Sequence, residues 1–176
     1  MRVIYEYWFA RMKNISDNKK KKLREAYGSA KEIYYIEETQ LRLQNFLTKK
    51  DIEQLKMARK QKDLEEKYYN MEEKGIGFVP YFQKTYPKRL SKLDGAPYAL
   101  YVKGKLPEED RPSVAIIGAR RCSSYGEGQA LEYGKCLASA GVQIISGLAL
   151  GIDGAGQRGA LNGGGTTYGV LGCGVD

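Results

Sequence analysis

The chain has 176 residues, a formal net charge of +8, three cysteines and no histidine. That length suits one or two domains with a buried core, and without histidine or a C-x-x-C pair the chain holds neither histidine-based catalysis nor a zinc site, so no metal is expected. No apolar run approaches the roughly 18 residues of a membrane helix. Glu6 and Arg11 interrupt the start where a signal peptide would be apolar, so the expectation is a cytoplasmic chain with reduced cysteines and no membrane partner.

Residues 1–75 carry 18 Lys and Arg against 13 Asp and Glu, residues 76–112 carry 7 against 4, and residues 113–176 carry 4 against 4. The basic front fits either a polyanion partner or a solvated lysine-rich surface. Within it, Val3, Ile4, Tyr7, Trp8 and Met12 recur at helical spacing and predict a helix over 3–13. Ser16 reads as the N-cap of a helix over 17–27, with Gly28 at its C′ position. Ser29 and Glu32 have capping-box spacing for a short helix through Ile36. Thr48 and Asp51 have it for a long charged helix ending near Gly75, on which Asp63 and Lys67 are spaced to pair. Residues 1–75 are therefore expected to form an all-helical domain. Lys19, Lys20, Lys21 and Lys22 stand in the first turn of its second helix, where positive charge opposes the helix dipole. They fit either tolerated exposed lysines or a secondary basic patch that meets phosphate.

Residues 76–112 read as extended. A first strand over 77–82 is expected at a sheet edge because Pro80 has no amide donor. A second follows over 98–102, and 106–112 is a turn-rich linker. The 14 tyrosines mostly alternate with aliphatics or sit on helix faces, which fits core packing better than base stacking.

From Ser113 the elements come at α/β spacing: a strand over 114–117, a helix over 125–140, a strand over 142–145, a helix over 152–161 and a strand over 166–171. This is the first half of a Rossmann-like parallel sheet with right-handed crossovers. Ligands of such sheets lie beyond the carboxyl ends of the strands. The residues there are Gly118, Ala119 and Arg120 after one strand, and Ser146, Gly147, Leu148 and Gly151 after the next. Glycine lets a backbone N–H approach a phosphate closely, and Arg120 adds a forked, permanent charge in what is expected to be a partly desolvated pocket. Asp153 is expected to cap N–H groups of the second helix, its other open role being to orient Arg120 or Arg158. Gly126-x-Gly128 opens a dinucleotide fingerprint, but Leu131 replaces its third glycine, so no cofactor is expected. Ser123 and Ser124 have no histidine to activate them.

Gly118-Ala119-Arg120, the run from Ser146 to Asp153, Arg158-Gly159-Ala160-Leu161 and Val170-Leu171-Gly172-Cys173-Gly174-Val175-Asp176 together resemble the DprA/Smf DNA-processing family. Its pattern is V-G-[ST]-R, then S-G-L-A-R-G-I-D-x-x-A-H-R-G-A-L, then V-L-G-x-G-[LVI]-D. Tyr86-Pro87 and the run from Pro97 to Gly104 resemble its lead-in. The resemblance implies a SAM-like or helix-hairpin-helix front over 1–75 and a Rossmann-like DNA-processing domain over 76–176. It implies a non-enzymatic protein that binds single-stranded DNA, protects incoming DNA and helps load a RecA-type recombinase in natural transformation. The sheet is expected to be incomplete at Asp176. The missing stretch would bear further DNA contacts, the surface that makes a homo-oligomer and the partner surface. Ala119, Leu150 and Gln157 stand where the family has Ser or Thr, Arg and His, which removes donors from the rim. The turn Asn14-Ile15-Ser16-Asp17 lacks the hairpin glycines, which leaves a docking or spacer role open for the front. A second reading is a nucleotide-processing hydrolase similar to the cytokinin-activating phosphoribohydrolases. Their P-G-G-x-G-T-x-x-E is approached by Gly163-Gly164-Gly165-Thr166-Thr167, without the proline and the glutamate.

Overall fold

A computed structural model describes residues 2–175. Asp176, which ends the last motif of the resemblance, lies outside the described residues. The chain forms two compact units, Met1–Gly104 and Lys105–Asp176. In chain order the first contains α1 (Arg2–Ala10), α2 (Asp17–Tyr27), α3 (Ala30–Tyr35), α4 (Glu38–Arg42), α5 (Lys49–Arg59), α6 (Leu64–Glu73), β1 (Ile76–Pro80), α7 (Lys88–Ser91) and β2 (Ala99–Lys103).

The caps form where the sequence puts them. Ser16 Oγ accepts from the Lys19 amide, and Gly28 closes α2 at φ 83°. Ser29 Oγ accepts from Glu32 N, the forward half of the expected box without its reciprocal bond. Thr48 and Asp51 form the reciprocal box that opens α5, an arrangement worth about 1 kcal/mol. The long helix expected from there to Gly75 is instead two, α5 and α6. Lys56 and Arg59 fill the last turn of α5 and Glu65 and Glu66 the first turn of α6, so each set of charges favours a terminus at the break. Asp63 is the N-cap of α6 and pairs with Lys67, as their spacing predicts. The short helices α4 and α7 were not foreseen.

The core of this unit gathers Phe9, Ile15, Leu23, Ile33, Leu41, Leu55 and Tyr98, all essentially inaccessible. β1 and β2 pair antiparallel from Ile76↔Lys103 to Pro80↔Ala99. Buried Glu6 of α1 accepts from Arg24 Nε at 3.2 Å, from Ala30 N at 3.3 Å and from the Tyr98 hydroxyl. Burial, with the Glu6 carboxylate beside it, pushes the Tyr98 phenol far above its ordinary range. Because Tyr98 precedes β2 and packs edge-on against Phe9, the strand pair coheres with the helices. The division therefore falls after Gly104, whereas the sequence suggested one after Gly75.

The four lysines of α2 are not a free basic face. Lys20 is 3% exposed and donates to Ala10 O and Asp17 Oδ1, both at 3.0 Å. Lys19 pairs with buried Asp51 at 2.6 Å. Lys21 donates to Ala96 O at 2.5 Å and lies over the Tyr81 ring. Lys22 is exposed, near the Phe46 ring. Three of the four thus tie the unit together, which offsets their unfavourable place on the helix dipole.

The second unit contains β3 (Ser113–Ala115), α8 (Ser124–Ser139), β4 (Gln143–Ser146), α9 (Ile152–Asn162) and β5 (Thr167–Gly169). The strands are parallel in the order β3-β4-β5, with Val114 opposite Ile144 and Ile144 opposite Thr167. Boundaries differ from the expected ones by a few residues, chiefly at β3, although Ile116 N still donates to Ile145 O at 3.0 Å. Ile144 is fully buried against Ala138 of α8 and Ala160 of α9, so both helices cover one sheet face. They approach closely enough that a Cβ on Gly134 would stand 2.2 Å from Gly156 O, and one on Gly159 would stand 2.1 Å from Leu131 O. The buried Gln143 side chain anchors the linker by accepting from Glu108 N at 2.8 Å and donating to Glu108 O at 2.9 Å. Among the described residues no helix is long and apolar enough to cross a membrane.

Candidate nucleic-acid interface at the strand ends

Two loops meet at the carboxyl ends of β3 and β4, and Asp153 holds them together. It is 5% exposed, in the first turn of α9. Its Oδ1 accepts from Gly118 N at 3.1 Å and its Oδ2 from Gly147 N at 3.0 Å. The expected capping role is thereby corrected: the N-cap of α9 is Gly151, without a side-chain cap, and the carboxylate bridges the loops. The alternative of orienting an arginine is not met either: the Asp153 oxygens are bonded to the two loop amides, and Arg158 pairs with Glu127 of α8 at 2.6 Å, strapping one helix to the other.

The loops also need their glycines. Gly151 has φ 78°, and a Cβ there would stand 2.3 Å from Ala119 O. A Cβ on Gly118 would stand 2.8 Å from Ile152. This close seating lets Ile152 N donate to Ala119 O at 3.2 Å, which joins the start of α9 to the first loop. Ser146 is buried, and its Oγ accepts from Leu148 N at 3.1 Å, which holds Leu148 at φ 56°. The amides of Gly118 and Gly147 and the acceptor of Ser146 are thus spent on building the loops.

Charge is presented by arginine. Arg120 is exposed, where a partly desolvated setting was expected. Arg121, which the sequence reading passed over, is exposed beside it. Neither makes an ion pair or hydrogen bond among the described residues. The one available signal for Arg121 was its adjacency to Arg120. Leu150, where a further arginine was looked for, is 80% exposed, and Gln157 is buried, donating to Tyr168 O at 3.3 Å. Gly163 to Thr166 form the turn between α9 and β5. The pieces brought together are therefore Gly118, Ala119, Arg120, Ser146, Gly147, Leu148, Gly151 and Asp153. Arg158 belongs to the helix surface and Lys19 to Lys22 to the first unit.

The model of the DNA recombination-mediator protein A family matches residues 77–176. The chain belongs to that family. The match begins within β1 and takes in the whole second unit, leaving α1 to α6 outside it. The DNA processing protein DprA of Streptococcus pneumoniae is 42% identical over 91 residues, 52% of this chain and 32% of that protein. Protein Smf of Escherichia coli is 35% identical over 115 residues, 65% of this chain and 31% of that protein. The chain therefore spans about a third of the length of these curated relatives. The X-ray structure of DNA processing protein A from Streptococcus pneumoniae superposes with a TM-score of 0.73 at 25% identity, covering 97% of this chain and 58% of that one. The chain is thus a family member with a mixed helical and parallel α/β architecture.

Proposed function

We propose that the chain binds single-stranded DNA by its phosphates at the β3–β4 loop ends, and that in this way it protects incoming DNA and helps load a RecA-type recombinase in natural transformation. The observation that carries the reading is the exposed Arg120, without an ion-pair or hydrogen-bond partner among the described residues, on a loop that Asp153 and Gly151 hold in place. Arg120 supplies a planar fork suited to a phosphate, and Arg121 a second cation at the same edge. Contacts of this kind fix a strand without reading its sequence. They leave base edges outward, which is what a recombinase must reach. The homo-oligomeric state and the cytoplasmic location belong to the same proposal.

The test is a set of isotherms with labelled single-stranded DNA at two salt concentrations. Binding is expected to be sequence-independent, with log K falling by about 0.7 per log unit of salt for each phosphate neutralised. An exposed guanidinium is worth less than a buried one, about 1 kcal/mol, so Arg120→Ala should weaken affinity roughly five- to ten-fold. Arg120→Lys should recover only part, because a point charge cannot fork. A flat salt response, or full affinity in Arg120→Ala, overturns the reading.

A further inference from the structure

A pocket lies wholly within the helical unit, far in sequence from the arginine loop. It opens between α5 and the end of α1 with the turn that follows, and has a volume of about 280 Å³. Ligand pockets usually run from roughly 300 Å³ upward, so this one has room for a single small unit. Its apolar wall is Trp8, Met12 and Met57. Trp8 is 2% exposed, and its indole Nε1 has no hydrogen-bond partner among the described residues. Arg11 and Lys13 supply the charge at the pocket, with no carboxylate among its lining residues. Arg11 lies over the Tyr7 ring. Asn14 and Gln54 are joined by one bond of 3.2 Å, from Asn14 Nδ2 to Gln54 Oε1. Among the described residues that leaves the Asn14 side-chain carbonyl and the Gln54 amino group uncommitted, beside a third amide on Gln61.

We propose that this pocket takes one nucleotide, its base against the Trp8 and Met57 wall with an edge on the Asn14 and Gln54 amides, and its phosphate on Arg11 and Lys13. A bare anion would use the cations and leave the apolar wall and the amides idle. Aromatic and thioether surface, side-chain amides and paired cations are together the groups that meet a base and its phosphate. The nucleotide is either free or one unit of a bound strand; the choice of ligand class rests on the nucleic-acid reading above, but the site does not share its residues.

Trp8 is the only tryptophan of the chain, so its fluorescence reports the pocket directly. The full chain is titrated with dAMP, with deoxyribose 5-phosphate, with inorganic phosphate and with an oligonucleotide, while strand binding is followed separately by the anisotropy of a labelled oligonucleotide. A saturable change in Trp8 emission with dAMP is expected, at least ten-fold tighter than with either baseless phosphate. Arg11→Gln combined with Lys13→Gln should weaken it ten-fold or more with an unchanged circular dichroism spectrum, and Gln54→Leu should narrow the gap between dAMP and deoxyribose 5-phosphate. A response to the oligonucleotide alone assigns the site to a strand unit, and a response to dAMP as well assigns it to free nucleotide; both support the pocket. No response to any nucleotide, equal responses to baseless phosphates, or loss of the dAMP response in Arg120→Ala overturns it. Because strand anisotropy is read apart from Trp8 emission, failure of strand binding at the arginine loop is distinguishable from failure of the pocket.

Discussion

Asp153 is where the structure makes its sharpest demand. Its two oxygens each accept one loop amide, Gly118 N at 3.1 Å and Gly147 N at 3.0 Å, in a nearly inaccessible setting. A hydrogen bond to a charged acceptor contributes about 1.5–3 kcal/mol, and an orphaned buried donor costs about 1–3 kcal/mol. Asp153→Ala removes both bonds at once and should destabilise the second unit by about 3–5 kcal/mol. Asp153→Asn is the more telling variant. An amide can accept from one loop but turns its own NH2 toward the other, so one bond is lost and two donors face each other. The expected cost is about 2–3 kcal/mol, with the worst-served glycine amide exchanging its hydrogen roughly thirty- to a hundred-fold faster. Asparagine caps helices as well as aspartate does. If Asp153 were only a cap for α9, Asp153→Asn would therefore be silent. Hydrogen exchange resolved at Gly118 and Gly147 decides the matter, and wild-type protection of both amides in Asp153→Asn would refute the bridging argument.

Gly151→Ala should both destabilise the second unit, by about 2 kcal/mol or more, and lower single-strand affinity, because the residue sits at φ 78° with Ala119 O only 2.3 Å from any added Cβ; urea unfolding and binding isotherms on one preparation test the pairing. Lys20→Ala should cost about 1–3 kcal/mol in urea unfolding, since half-buried Ala10 O and Asp17 lose the buried ammonium they share, whereas Lys22→Ala should do little; equal effects would argue against a structural lysine. Asp51 gives a pH dependence of defined sign. Burial alone would raise its carboxyl, but the Lys19 and Thr48 bonds outweigh it and hold the group below its ordinary 3.8. A lowered folded value stabilises at and above the ordinary one and is lost as pH falls through it. The stability gap between wild type and Asp51→Asn should thus be level near neutrality and shrink only below about pH 4; a gap that grows in acid would contradict the sign.

Much of this architecture was legible because short-range chemistry decided it. Ser16, Gly28, Ser29 and Thr48 act within one turn of chain, and each caps the helix its spacing marks, although the Ser29 box with Glu32 forms only in its forward half. The parallel order of β3, β4 and β5 followed from apolar runs alternating with helices, a pattern that no other layer arrangement buries as well. What escaped were interactions between residues distant in sequence. The break between α5 and α6 could have been seen in the charges that flank it, but propensity favoured continuity. The partners of Lys19 and Lys21 lie 32 and 75 residues away, so four consecutive lysines looked like surface. Asp153 reaches 35 residues back to Gly118, and its position in a first helical turn made the local cap the natural reading.

That bridge also decides how an anion could be held at the strand ends. Backbone amides at such loops commonly face the ligand, and a phosphate would then sit in the place of a carboxylate. In this chain a carboxylate already occupies two of those amides, and it carries a full negative charge of its own. A phosphate brought to the same amides would meet that charge at short range, where burial weakens the screening that water gives. On the proposed reading the anion would instead meet Arg120 and Arg121, which are exposed and have no hydrogen-bond or ion-pair partner among the described residues. On that proposal scaffold and recognition are divided: Asp153, Gly118 and Gly151 fix where the loop stands, and the guanidinium groups are the proposed binding elements. Such a division favours a long, weakly held polyanion over a single tightly enclosed phosphate, since each exposed contact contributes little and affinity must accumulate along the strand.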